Sequence, residues 1–538
     1  MTTDKVTIQI LAEVCRSFGM KHLVFSPGSR SAPLVVAFSQ MKEFNCSVIP
    51  DERVAGFFAM GIAQQSKIPV GVICTSGTAV LNLAPAICEA YYQKIPLLIM
   101  TADRPAEWIG QGENQAIEQT EIYKNYIKGS FALPVTVENE TAMQNVANIC
   151  ADALNLSKQG DAGPVHVNIP LREPLYNFAE ASLPLLSIKK NPSVPSFLSK
   201  EDKAYITTQW SAASKKMIVC GMDEGSEERN KLLQQLAERK DVILLSESIS
   251  NISVSQNIYN IDAVIDTIKQ EEVEAFIPDI IVTIGGQIIS KKIRMLLRQY
   301  KPKKHWHISK TGEKWNTFLV LDKAFACEQK ELLQTLIATP ASDSNFSSDW
   351  WKKQQLVGKK LALYNASAPF SDFKVFSKLS ASFPENAQLQ WGNSSPIRYS
   401  TIFQQKRSLQ HFSNRGTSGI DGCVSTAAGA AWVNGKLTIC IVGDVSFFYD
   451  SNALWNPQLS PNLRIIMVNN SGGNIFRLIP GPQKVAGFEK FFETKHHLSA
   501  EYLAQMYEIP YYFCEREEDL DFVLHEFYKP QKGRAAIL

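Results

Sequence analysis

Two short segments near the end of the chain constrain its fold more than any other feature. Gly443-Asp444-Val445-Ser446 and Asn469-Asn470-Ser471-Gly472-Gly473 each follow an apolar run, 437–442 and 463–468, that reads as a buried strand. The stretch between them, 446–462, is long enough for a crossover helix, so strand, helix and strand make one βαβ unit. A carboxylate and a carboxamide then stand at the carboxyl ends of two parallel strands. In open α/β sheets that edge is where ligands bind.

Oxygen donors on adjacent strand ends suit Mg²⁺, which takes oxygen ligands in octahedral geometry and is completed by phosphate oxygens and water. Gly443 permits close backbone approach, and a helix beginning near Ser446 points free N–H groups at an anion. The predicted ligand is a metal-bound diphosphate. Asp and Asn after strands are also ordinary turn residues. The spacing separates the two readings: Asp444 and Asn470 lie 26 residues apart, with a strand before each.

At 538 residues the chain exceeds a single core, and a two- to four-domain protein is expected. A net charge of +2, with no long run of like charges, gives no nucleic-acid or membrane surface. The ten cysteines are scattered singly without a CxxC pair, which points to reduced thiols rather than a disulfide framework or zinc site. The most apolar long stretch, 68–87, is broken by Ser76, Gly77, Asn82 and Pro85 and does not read as a membrane span. The N-terminus runs directly into an amphipathic pattern, and a cytoplasmic location is expected.

From residue 5 to about 170, helices and strands alternate. Strands are expected at 23–25, 46–49, 70–74, 97–100 and 165–168, with a helix over 52–65. A proline-rich linker, 171–200, separates this block from a second one with strands at 217–220, 242–245 and 280–284. The polar stretch 339–348 reads as a second linker, and 535–538 as a closing strand. The parse is α/β with three doubly wound parallel-sheet domains: 1–180, 200–338 and 352–538.

Cations recur at turns in all three blocks. Ser29 and Arg30 lie in a loop that opens a helix. Arg104 follows a strand, with Asn114 and Gln115 in the loop beyond. Lys291 and Lys292 begin a helix, while Arg398 and Arg415 occupy glycine-rich turns, Arg398 with Asn393 and Ser394. A basic residue at a helix start opposes the helix dipole, so the recurrence suggests substrates with several carboxylates. Any one of them, taken singly, is equally a solvated side chain. Glu52, at the start of its apolar helix, is by position a first-turn acid.

The paired strand ends resemble the thiamine-diphosphate fingerprint, with Val445 in place of its usual third glycine. The ordered motifs SPGSRSAPL, DERVAGFFAMG, TSGTAVLNLAPA, TADRP, NQAI, SNRGTSGIDG, STAAG, GDVSF and NNSGGNIF, from residue 26 to 476, resemble the 2-succinyl-5-enolpyruvyl-6-hydroxy-3-cyclohexene-1-carboxylate synthase family of menaquinone biosynthesis. The resemblance implies three domains of the thiamine-diphosphate-enzyme type: pyrimidine-binding, central and diphosphate-binding. It implies that Asp444, Asn470 and the Gly472 carbonyl bind Mg²⁺, with Mn²⁺ as an alternative occupant. Glu52 would be the catalytic acid on the aminopyrimidine and Ile420 the apolar support of the bent cofactor. Asn393, Gly443, Val445, Ser446, Asn474 and Ile475 would complete the cofactor site. It further implies decarboxylation of 2-oxoglutarate and addition of the resulting carbanion to isochorismate. Ser29, Arg30, Arg104, Asn114, Gln115, Lys291, Lys292, Ser394, Arg398 and Arg415 would hold these dicarboxylates. A homodimer or dimer of dimers is implied, with each cofactor between two subunits.

Two departures from the family pattern stand out. Lys292 takes a place where some relatives carry Arg, trading a bidentate fork for a point charge. Arg477 replaces a smaller residue. An acetolactate-synthase-like carboligase would keep Glu52, Asp444 and Asn470 without needing the full cation set, and a non-catalytic metabolite-binding protein would not need Glu52.

Overall fold

The computed structural model describes all residues except 181–182, 193–194, 479–480 and 532. Two compact units divide the chain. One comprises 1–193, 414–512 and 530–538; the other comprises 194–413 and 513–529.

The first unit contains a six-stranded parallel sheet in the order Asn45–Val48, His22–Phe25, Val70–Cys74, Leu97–Asp103, Val165–Pro170, Ser130–Ala132. Alternation along its strands produces two cores. Val24, Val72, Cys74, Leu97 and Ile99 face one cluster, while Leu23, Phe25, Ile73, Leu98 and Met100 face the other. A strand with both faces apolar needs cover on both sides, and the helices between strands supply it. Farther along the chain, Thr438–Gly443 and Leu463–Val468 pair in parallel, and Leu463–Val468 pairs with Ala536–Ile537, the expected closing strand.

Two helices of this unit, Glu52–Ser66 and Cys423–Asn434, cross with their backbones in contact. A Cβ on Gly61 would stand 2.1 Å from the Thr426 carbonyl oxygen, and one on Gly429 would stand 2.0 Å from that of Phe58. Only glycine permits that approach.

The second unit carries a five-stranded parallel sheet in the order Val242–Ser246, Lys216–Cys220, Ile280–Ile284, Lys304–Ser309, Leu321–Ala326. Period-two alternation again divides it between two cores: Ile218, Leu244 and Val282 on one side, Met217, Ile243 and Ile281 on the other. Gln388–Trp391 and Gln410–Ser413 also pair in parallel.

Three expectations are revised. The crossover between the paired strand ends is a six-residue helix, Asp444–Tyr449, followed by the short turn Ser451–Trp455. Asp450 ends the helix because its fully buried carboxylate turns inward to Ser425, and Pro457 prevents continuation. The polar stretch 339–348 is not free linker. Ser342 donates to Asp241, and the long helix Phe346–Ser367 starts inside the stretch because Phe346 and Trp350 are buried. The first linker lies partly outside the described residues. Its described part pairs Phe178–Ala179 antiparallel with Thr2–Thr3, and Lys189 and Asn191 bond the Asn155 side chain. All ten cysteines are free thiols, as expected. Among the described residues no helix is long and apolar enough to cross a membrane.

Candidate functional site

The first unit gathers the predicted metal residues around one carboxylate. Asp444 directly follows the strand Thr438–Gly443 and is 2% exposed. Its Oδ1 accepts from the Val445 amide at 2.7 Å. Its Oδ2 accepts from the amides of Asn470 at 3.2 Å and Gly472 at 2.9 Å. One acid therefore ties the two strand ends together. Gly472 adopts φ +147°, and a Cβ there would meet the Glu493 carbonyl oxygen at 2.6 Å, so the turn requires glycine. Asn474 donates to the Asn470 carbonyl, and Ile475 begins a short helix. Val445 is half-buried, and the Ser446 hydroxyl reaches the Ile420 carbonyl at 3.0 Å.

Among the described residues, no cluster of three His, Cys, Asp or Glu side chains could hold a metal. A cation here would take one carboxylate, a carboxamide and a peptide carbonyl, with water or phosphate filling the rest. That hard-oxygen set fits Mg²⁺ bound to a diphosphate, and Gly443, with nothing within 4 Å of a built Cβ, leaves room beside it. Sequence reasoning missed His496, whose Nε2 lies 3.3 Å from Asp444 Oδ2. Its Nδ1 accepts from the Leu498 amide and its ring packs edge-on against Phe448. The approach is close but is not a hydrogen bond.

Glu52 opens its helix behind the N-cap Asp51. Ser29 is exposed at the loop, and Arg30 beside it is buried, donating to the Leu171 carbonyl at 2.8 Å and pairing with Glu173 at 3.1 Å. Arg104 is also buried. Its Nη1 donates to the Ser76 hydroxyl at 2.6 Å and the Gln115 carbonyl at 3.2 Å. Burial, and then Arg30 beside it, lower the Arg104 pKa. Asn114 and Gln115 lie on an exposed loop, with Gln115 at φ +53°.

A buried polar network lies beneath Arg104. Its own amide donates to Asp103 Oδ1, whose Oδ2 accepts from Asn168. The Asn168 oxygen accepts from Thr101 and Gln119, and Gln119 Oε1 takes the Gly77 amide. Arg415 sits in a turn held by Glu89, a 1%-exposed acid that accepts from the amides of Gly416 and Thr417, both at 2.6 Å. A lone acid within the apolar stretch 83–90 was the available signal for Glu89, and sequence reasoning passed over it.

The second unit carries the other predicted cations. Ser290 caps the helix Lys291–Gln299, and its amide and that of Ile289 both donate at 2.6 Å to the buried carboxylate of Glu247. Lys291 is exposed, and Lys292 pairs with Asp266. Ser394, at φ +73°, precedes the helix Ser395–Tyr399 that bears Arg398; Asn393 is buried beside it. Ser248 and Ser400 hydroxyls bond at 2.6 Å, joining this helix to the Glu247 turn. Arg294 donates to the Ile288 carbonyl, and its pKa is lowered chiefly by burial, with Arg398 among the like charges near it.

Residues 6–122 match the N-terminal TPP binding domain of thiamine pyrophosphate enzymes, 180–390 the middle domain, and 392–538 the C-terminal TPP binding domain. A 2-succinyl-5-enolpyruvyl-6-hydroxy-3-cyclohexene-1-carboxylate synthase of Flavobacterium johnsoniae is 39% identical over 533 residues, covering 98% of this chain and 94% of the relative. Proteins of the same name from Christiangramia forsetii and Desulfotalea psychrophila are 39% and 36% identical, each over 98% of this chain and 94% and 97% of their own length. A match of that extent, spanning the buried Asp444 turn and every cationic turn described above, makes the chain an enzyme of the thiamine pyrophosphate class and a member of the 2-succinyl-5-enolpyruvyl-6-hydroxy-3-cyclohexene-1-carboxylate synthase family.

Proposed function

We propose that the chain decarboxylates 2-oxoglutarate and joins the resulting four-carbon unit to isochorismate, in a step of menaquinone synthesis that requires thiamine diphosphate and Mg²⁺. The observation that carries the substrate reading is the Arg30–Arg104 pair. Two buried guanidiniums, of which Arg104 has its pKa lowered by burial and then by the charge of Arg30, with Glu173 as the acid paired to Arg30, favour a ligand bearing more than one carboxylate. A pyruvate-using relative would not need that pair.

The bound cofactor supplies the electron sink for carbon–carbon bond cleavage and formation. The chain's own residues do the rest. Asp444, Asn470 and the Gly472 carbonyl hold the metal and diphosphate. Glu52 would hydrogen-bond the pyrimidine ring and hold or take up a proton there, and Ile420 would pack against the cofactor. Ser29, Arg30, Arg104, Asn114, Gln115, Lys291, Lys292, Ser394, Arg398 and Arg415 are the residues assigned to substrate carboxylates and hydroxyls. The parse at 1–180, 200–338 and 352–538, a homodimeric or dimer-of-dimers assembly and a cytoplasmic location belong to the same proposal. Sedimentation velocity tests the assembly.

The deciding experiment follows isochorismate loss and CO₂ release with purified protein, thiamine diphosphate and Mg²⁺. Consumption that requires 2-oxoglutarate supports the reading. CO₂ release indifferent to isochorismate, or preference for pyruvate, overturns it.

A further inference from the structure

Glu52 stands between two anchored residues. On one side, Asp51 accepts from the Val54 amide at 3.2 Å and from the Asn452 side chain at 2.8 Å. On the other, Arg53 Nη1 donates to Asp450 Oδ1 at 2.8 Å and to the Asp421 carbonyl, while Nη2 reaches the Tyr449 carbonyl at 3.4 Å. The guanidinium also lies over the Tyr449 ring, 5.5 Å from its centroid. Asp450 is fully buried, and Ser425 supplies its other donors, the amide at 2.7 Å and the hydroxyl at 2.6 Å. Asp421 follows Ile420, and Asp450 ends the helix that Asp444 begins. By contrast, among the described residues Glu52's carboxylate accepts one long bond, from Asn82 at 3.5 Å.

We propose that Arg53 and Asp450 are positioning residues for Glu52: their buried ion pair locks the first turn of the Glu52 helix onto the Ile420–Asp421 segment and leaves the Glu52 carboxylate free for the cofactor ring. The inference rests on the reading of Glu52 as the acid. Fixing the Cα–Cβ direction of a residue from both flanks sets where its carboxylate reaches without spending that carboxylate's own hydrogen bonds. Burial pushes the Asp450 carboxyl up to about 6, and Arg53 and Ser425 keep it from rising further, so the pair is ionised at neutral pH. Removing Arg53 strands Asp450 as a fully buried, uncompensated charge, whereas removing Asp450 leaves the 16%-exposed Arg53 with Asp51 as its acid, at 3.8 Å.

The test compares Arg53→Met, Asp450→Asn and Arg53→Lys, with Glu52→Gln as control. Two readouts separate positioning from general stability. One is amide hydrogen exchange of residues 52–56 in the cofactor-free protein. The other is the rate of C2-hydrogen exchange of bound thiamine diphosphate. Arg53→Met and Asp450→Asn are expected to speed the amide exchange and to slow C2 exchange about 10- to 100-fold, the usual range when the partner that orients a functional group is lost. Cofactor affinity should stay within about threefold, and Arg53→Lys should recover part of the loss. Wild-type C2 exchange in both variants, with Glu52→Gln slow, overturns this proposal and leaves the acid reading standing. Wild-type exchange in Glu52→Gln itself removes the acid reading and this proposal with it. If Arg53→Met and Asp450→Asn do not fold, Arg53→Lys decides: slowed C2 exchange with intact cofactor affinity supports the proposal, and an unchanged rate overturns it.

Discussion

Glu89→Gln isolates how the Arg415 turn is held. Glu89 Oε1 accepts from the Gly416 amide at 2.6 Å and Gln93 at 2.7 Å; Oε2 accepts from the Thr417 amide at 2.6 Å and its hydroxyl at 2.5 Å. A glutamine has one oxygen, so its NH₂ must face one of these donor pairs. Either orientation opposes a buried amide N–H, that of Gly416 or that of Thr417, to another donor. Facing Thr417 is cheaper, because the hydroxyl can turn and accept. That orientation loses two charge-assisted bonds at ~1.5–3 kcal/mol each and recovers one ordinary bond of ~1 kcal/mol, a net cost of about 2–5 kcal/mol. The turn should therefore open locally before the whole unit does. Amide exchange at 416–417 is expected to accelerate by at least about tenfold, each factor of ten corresponding to ~1.4 kcal/mol. Loss of Arg415's placement should raise the KM for one dicarboxylate and leave cofactor affinity intact. A folded Glu89→Gln protein with native protection at 416 and 417 and unchanged KM values would refute the reasoning.

Three further outcomes follow from particular contacts. Gly429→Val places a Cβ 2.0 Å from the Phe58 carbonyl oxygen, a backbone atom that cannot swing aside, so a loss of about 3 kcal/mol or more is expected as a fall in unfolding temperature; an unchanged temperature refutes the crossing. His496→Phe keeps the packing against Phe448 and removes the nitrogen beside Asp444, so Mg²⁺-dependent binding of thiamine diphosphate should weaken about tenfold in a fluorescence titration; equal affinity would make His496 a bystander. Burial lowers the pKa of His166 to about 4, of His305 to about 3 and of His411 to about 4. The unfolded chain takes up these protons near pH 6.5 and the folded chain does not, so stability is lost as pH falls below about 6.5, by ~2 kcal/mol per histidine at pH 5. Urea unfolding at pH 7.5 and pH 5 measures the loss, and equal midpoints would contradict it.

The strands were legible because each is apolar on both faces and short, which only a covered parallel sheet explains. The turn at Asp444 was legible because its chemistry is local: an acid after one strand and an amide after the next. What stayed hidden depends on pairing across the chain. Glu89 meets Gly416 from 327 residues away, and Arg53 meets Asp450 from 397 away. Neither acid betrays its partner locally, since a buried carboxylate and a solvated one look alike in sequence. The shortness of the crossover helix has the same origin. Helix propensity over 446–462 gave way to the inward turn of Asp450, a tertiary bond that local pattern cannot register.

The charges of the first unit show why the site is cationic although the chain carries only +2. Its buried acids are largely occupied as acceptors: Asp444 and Glu89 by backbone amides, Asp103 by Asn168 and the Arg104 amide, Asp450 by Ser425 and Arg53. Arg30 and Arg104 are left with hydroxyl and carbonyl partners and the 61%-exposed Glu173, which water screens. The positive field is therefore local and partly shielded from solvent, unlike that of the exposed Lys291. Salt should distinguish the two kinds of cation. Raising ionic strength from about 0.05 to about 0.5 M shortens the screening length from ~14 to ~4 Å, which should erase most of the KM effect of Lys291→Met and little of that of Arg104→Met. If both variants converge on wild type at high salt, Arg104 acts through solvent as a surface charge does, and the buried guanidinium pair is not what selects a dicarboxylate.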